Sequence, residues 1–200
     1  MGSLLIILVF FGVVAVVVLW GVGIYNGLIT ARNAFRNAFA QIDVQLQRRF
    51  DLIPNLVETA RAYMSHERET LEAVTAARTA AQSGLAAAKA NPGDPEAMAT
   101  LAATQGQLNG VLGRLMMVAE AYPDLKANQN MMQLTEELTS TENRVAFARQ
   151  AYNDSVMAYN NKREVFPSSV IAGMFKFDAA ALLDIPADRA EVREAPKVQF

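Results

Sequence analysis

His66 is the only histidine in the 200 residues, and no cysteine is present. That pair of facts limits the chemistry at once. Glu67 follows His66 and invites comparison with the zinc-helix pattern H-E-x-x-H, but residue 70 is Thr, so the second imidazole is absent. A bundle-type carboxylate metal site would pair inward glutamates with Glu-x-x-His, and the residue three before His66 is Tyr63. Ser65 adjoins His66 on the chain, where helical neighbours diverge, so a Ser-His-Asp relay has no basis there. Without cysteine there are no disulfides, thiolate metal sites or thiol nucleophiles. Gly84, Gly93, Gly106, Gly110 and Gly113 match neither phosphate-binding glycine pattern.

Acids are plentiful, Glu120, Glu136, Glu137, Glu142 and Glu164 among them, and they read first as solvated helix faces. An alternative keeps a ligand- or metal-binding bundle open, with Asp43, Glu58 and Glu142 converging between helices. The pairs Met116-Met117 and Met131-Met132 could form an adaptable binding surface, but at least one of each pair lies on an apolar stripe, which favours core filling. Asn153, Asn160 and other amides beside the apolar stripes either bond between helices or subunits, or face water. No catalytic, cofactor-binding or metal-ligating residue is assigned, and no cofactor is expected; the chain reads as a non-enzyme.

The elements that would position any chemistry begin with an apolar run. The first 31 residues carry no charged side chain, and residues 4–24 are unbroken apolar sequence. A helix needs about 20 such residues to cross a bilayer core. A cleaved signal fits less well: no basic residue precedes the run, the run exceeds the usual length, and no small-residue cleavage site follows it. Trp20 and Tyr25 suit a membrane–water interface. Arg32, Arg36, Arg48 and Arg49, against Asp43, place the N-terminus outside and the remainder in the cytoplasm by the positive-inside rule. The net charge of −2 gives no reason to expect nucleic acid as a partner.

From residue 26 to 166 the period is helical. Leu28, Phe35, Phe39, Ile42, Leu46 and Phe50 form one apolar stripe, and Ile53, Val57, Ala60, Met64, Leu71, Val74 and Ala81 continue it. Asp51 as a cap with Pro54 in the first turn describes a new helix after a tight turn; alternatively Pro54 kinks one long helix, as the unslipped apolar phase suggests. The hairpin is preferred, because four elements close a core more easily than three of unequal length. Pro92-Gly93-Asp94-Pro95 is a clear break with Asp94 as cap. Leu101, Leu108, Leu115 and Tyr122 then recur every seven residues, with Gln105 as the polar exception, and close backbone packing is expected at Gly106, Gly110 and Gly113. Pro123-Asp124 opens the last helix, where Met131, Leu138, Val145, Tyr152, Tyr159 and Phe166 keep the same interval. Such a 3.5-residue repeat predicts left-handed packing, as in bundles and coiled coils.

The expected architecture is therefore all-α. A transmembrane helix (residues 1–25) runs into an antiparallel four-helix bundle with heptad-like packing (residues 26–166; helices 26–50, 52–90, 95–121 and 124–165). A C-terminal tail (residues 167–200) packs on the bundle as a loosely ordered strap.

Several segments resemble the LemA family of bacterial membrane proteins: residues 25–33 (YNGLITARN), 41–49 (QIDVQLQRR), 51–59 (DLIPNLVET), 137–144 (ELTSTENR) and 149–154 (RQAYND), then Tyr159-Asn160, Phe166-Pro167, Ile171-Ala172-Gly173 and Pro196-Lys197-Val198. The resemblance implies an N-terminal anchor followed by a four-helix bundle, and a single-pass protein of the bacterial inner membrane. It carries no catalytic residues with it. The expected class is a scaffold or self-assembling membrane organiser. Its expected partners are the lipid bilayer, through residues 4–24, a second copy of itself (homo-oligomer) and other membrane proteins.

Overall fold

In the computed structural model, which describes residues 2–64 and 66–185, one helix takes up the whole first third of the chain. Helix α1 spans Gly2–Arg61, about 90 Å at 1.5 Å per residue. The others are α2 (Arg68–Ala90), α3 (Pro95–Ala119), the single turn α4 (Pro123–Lys126), α5 (Gln129–Glu164) and α6 (Ser168–Met174). The described residues are all-helical, with no strand. The second half of α1 packs most extensively on α5 and also on α2, and α2 packs on α3.

The tight turn expected at residues 51–54 is not there. Pro54 lies inside α1, and the helix survives for two reasons. Phe50, Ile53, Val57 and Ala60 stay on the buried face through the proline. Proline has no N–H to give the carbonyl four residues back, which is that of Phe50. Arg78 of α2 supplies the missing donor: its Nε donates to the Phe50 carbonyl at 2.7 Å. The reversal falls instead at residues 62–67, without proline or glycine. Met64 is fully buried there, and its N–H donates to the Ala60 carbonyl at 2.9 Å. The expected helix 52–90 is thus divided between α1 and α2.

Two later boundaries also differ. Asp94 caps α3 as expected, its Oδ1 accepting from the Ala97 N–H at 2.9 Å. At Pro123 a single turn forms and stops, because Asn128 takes an extended conformation and caps α5 with its own side chain. Phe166 leaves the heptad series. Met131, Leu138, Val145, Tyr152 and Tyr159 are buried, whereas Phe166 lies beyond α5 and is 82% exposed. The predicted close backbone packing in α3 is likewise overturned: a methyl at Gly106, Gly110 or Gly113 would meet nothing within 4 Å. The close approach is at Gly84, where an added Cβ would lie 3.5 Å from the Leu101 Cα of α3.

After α6 the chain runs without regular structure along α5. Two asparagines hold it in paired bonds. Asn160 donates to the Ala180 carbonyl and accepts from its N–H, at 2.8 and 3.0 Å. Asn153 does the same at Leu183, at 3.1 and 2.9 Å. The Tyr152 hydroxyl donates to the Ala181 carbonyl and that of Tyr159 to Asp178, each at 2.8 Å. Residues 186–200 of the expected tail lie outside the described residues.

Candidate membrane interface

Residues 2–20 of α1 are exposed throughout. The most apolar window of 18 residues has a mean hydropathy of 3.1, and none of it is buried inside the structure. An apolar helix of a soluble core would be covered by its own protein. This one is apolar on every side and left uncovered by the rest of the structure, a pattern that suits a helix surrounded by lipid.

Contact with the rest of the molecule begins at Gly21. An added Cβ there would lie 3.9 Å from the Ile171 Cδ1 of α6. Val17, Val18, Gly21 and Val22 form an apolar groove with Ile171 and Met174. Tyr25 closes its upper end edge-on to Phe175 and Phe177, with ring centroids 4.9 and 5.6 Å apart. Cations follow directly. Lys162 of α5 reaches over Gly27, and the Arg32 guanidinium sits over the Phe177 ring at 5.2 Å. Arg36, Lys176 and Asp178 share a cleft with Arg32. The level where α1 leaves its apolar run is thus ringed by aromatic, then cationic, side chains.

The interior farther along α1 is not wholly apolar. Arg49 is 3% exposed, and its Nη2 donates to Asn109 Oδ1 of α3 at 2.7 Å. Glu142 of α5 lies 4.0 Å from the same nitrogen. One buried cation therefore ties α1, α3 and α5 together. Gln105 is 1% exposed, and both polar atoms of its amide are without a hydrogen-bond partner. A separate cleft lies between the end of α3 and the start of α5, lined by Met116, Leu125, Met131 and Met132.

The acids considered for a metal or ligand do not converge. Asp43 pairs with Lys89 at 2.7 Å, Glu58 is exposed, and Glu142 faces Arg49. Among the described residues no group of three or more His, Asp or Glu is arranged to hold a metal. His66 is exposed in the turn between α1 and α2. Of the buried polar groups, Gln105 was visible in the sequence as a break in a leucine series. Arg49 looked like one of four flanking charges, and its burial follows from packing alone. Burial also pushes the Tyr152 hydroxyl well above the usual phenol range. Burial raises Tyr159 as well, against the pull of Arg163 and Arg32.

Several known proteins are similar to this chain. A LemA protein of Metamycoplasma hominis is 25% identical over 178 residues, covering 86% of this chain and 77% of that protein. Magnetosome protein MamQ 2 of Paramagnetospirillum magneticum is 25% identical over 174 residues, covering 78% of the chain. MamQ of Magnetospirillum gryphiswaldense is 25% identical over 154 residues, covering 68%. The chain spans 63% and 56% of these two magnetosome proteins. The model of the LemA family matches residues 38–200. That match takes in α2 to α6 and α1 from residue 38 onward, so the chain belongs to the LemA family.

Proposed function

We propose that this chain is a single-pass membrane protein whose helical domain works by association rather than catalysis, as a scaffold or self-assembling organiser of the membrane. The observation that carries the reading is the continuity of α1. An exposed, wholly apolar segment and the buried stripe from Leu28 to Ala60 belong to one helix. In this reading α1, α2, α3 and α5 form a four-helix bundle on a lipid-embedded stem, and the segment after α6 straps α5 to it. The arginines after the apolar run favour a cytoplasmic bundle in the inner membrane. Neither the LemA name nor the MamQ names are those of enzymes. The exposed Met132 and Phe147 offer surface for a second copy or for other membrane proteins.

Light scattering on the full chain in mild detergent, with the detergent mass subtracted, tests the association. A stable oligomer is expected. A strictly monomeric particle across the accessible concentration range would overturn the self-assembly, and recovery in the soluble fraction without detergent would overturn the membrane assignment.

A further inference from the structure

Helix α6 leaves more apolar surface uncovered than a helix on a water-soluble surface does. Its buried residues are Ser168 and Ala172, four apart and therefore on one face. Val170 and Met174, also four apart, point outward, and Met174 is 68% exposed. Phe166 and Val165 before the helix, and Phe175 after it, add to the same exposed apolar surface. A surface helix in water keeps such side chains on its covered face. We infer that α6 and its flanking Phe166 are a second membrane contact, lying in the interfacial layer of the bilayer beside the point where α1 emerges.

The depth follows from α1 itself and rests on the membrane reading of residues 4–24. With a rise of 1.5 Å per residue, Gly21 is about 4.5 Å, and Val17 about 10 Å, inside the end of the apolar run at Ile24. These are the residues that line the groove against Ile171 and Met174. Interfacial helices bury their apolar face ~5–10 Å into the boundary between headgroups and acyl chains. The register of α6 on α1 therefore brings Val170 and Met174 to the depth at which such side chains leave water. Lys162 and Arg163, at the end of α5, and Lys176 lie on the chain just outside this layer, at the level of lipid phosphates; Glu164 and Asp178 are among them and temper the positive charge. The exposed apolar surface of α6 is continuous with that of the span, and the occupant that already surrounds the span covers both. The domain is then fastened at two points, so it can neither swivel about the α1 axis nor slide along it.

The chain has no cysteine, so single cysteines can be introduced and labelled with an environment-sensitive fluorophore. The full chain would be reconstituted in vesicles of phosphatidylcholine and phosphatidylglycerol, with variants Phe166→Cys, Met174→Cys, Val14→Cys and Met117→Cys. Quenching is read with nitroxides on lipid near the headgroup, with nitroxides deep in the acyl chains, and with aqueous iodide. Circular dichroism confirms that each variant is helical. The expected result is shallow-lipid quenching at Phe166→Cys and Met174→Cys, deep quenching at Val14→Cys and iodide quenching at Met117→Cys. If the two α6 positions follow iodide while Val14→Cys stays deep, the inference fails and the membrane reading stands. If Val14→Cys itself follows iodide, the membrane reading fails first. If neither lipid nor iodide reaches the α6 labels while Val14→Cys stays deep, a second copy covers the face and the inference is overturned.

Discussion

Replacing Arg78 should destabilise the domain for a reason located on a different helix. Pro54 withholds one donor from the Phe50 carbonyl, and Arg78 Nε fills the place at 2.7 Å. Phe50 is fully buried, so water is a poor substitute. A hydrogen bond from a charged donor contributes about 1.5–3 kcal/mol, and an unsatisfied buried acceptor costs about 1–3 kcal/mol. Arg78→Met keeps much of the apolar stem and removes the donor. It should cost about 2 kcal/mol, a fall in Tm of roughly 4–8 °C for a domain of this size. Pro54→Ala restores the helical N–H, so in that background Arg78→Met should cost under ~0.5 kcal/mol. Thermal unfolding of the four proteins in detergent, followed by far-ultraviolet circular dichroism, closes the cycle. A coupling of about 1–2 kcal/mol is expected. Equal costs for Arg78→Met in both backgrounds, within about 0.5 kcal/mol, would refute the reasoning and leave α1 crossing Pro54 on packing alone.

Gln105→Leu should raise stability by about 1–3 kcal/mol, because it replaces a buried amide without partners by a side chain of similar size in a leucine layer; a loss of stability in the same melts would mean the amide is bonded. Gly106→Ala, Gly110→Ala and Gly113→Ala should each add about 0.5–1 kcal/mol, since the methyl enters open space, and a combined variant that melts lower would show that the stripe is covered by another molecule. In an alkaline titration read by tyrosinate absorbance, with Tyr152→Phe and Tyr159→Phe variants to assign the steps, Tyr152 and Tyr159 should ionise above the usual phenol range. Their folded pKa values exceed the unfolded value of about 10, so above that pH the unfolded chain releases protons that the folded one retains. Their contribution is intact below about pH 10, and stability then falls with rising pH by up to about 1.4 kcal/mol per unit per tyrosine. A single transition for all tyrosines would contradict it.

Long periodic segments were the readable part of this fold. The apolar run, the stripe from Leu28 to Ala60 and the α5 series from Met131 to Tyr159 are set by local pattern, and the structure keeps them. The errors share a cause: each depended on a residue elsewhere in the chain. Pro54 looked like a turn because its orphaned acceptor is served by Arg78, 24 positions on. The true reversal at residues 62–67 has no proline, glycine or side-chain cap at Glu67. It is held by tertiary bonds such as Asn128 Nδ2 to the Tyr63 hydroxyl at 2.9 Å. Asn153 and Asn160 were visible as amides beside a stripe, but their partners lie 30 and 20 residues away, in a segment with no period of its own. As for the candidate interface, the apolar run of its proposed span was legible from composition. The level of α6 on that span was not, because Ile171 meets Gly21 only after α1 and α5 have set the register.

The place where α1 leaves its apolar run is also where it is intrinsically weakest. Gly21, Gly23 and Gly27 fall within two turns, and each costs a helix about 1 kcal/mol relative to alanine. A helix left bare there would bend at the end of the apolar run. The structure covers two of the three: Ile171 lies over Gly21, and Lys162 over Gly27. Between them Tyr25 is held by Phe175 and Phe177. The side chains that α6 and the end of α5 bring against α1 thus splint the joint that the glycines would otherwise weaken. Stiffness at this joint is therefore a tertiary property. Removing the covering side chains, for example with Ile171→Ala and Phe175→Ala together, should loosen the span relative to the domain while leaving the core from Phe35 to Leu138 intact. Distances between spin labels at Val14→Cys and Val44→Cys, measured in nanodiscs, would broaden in that variant. An unchanged distribution would place the stiffness in α1 alone.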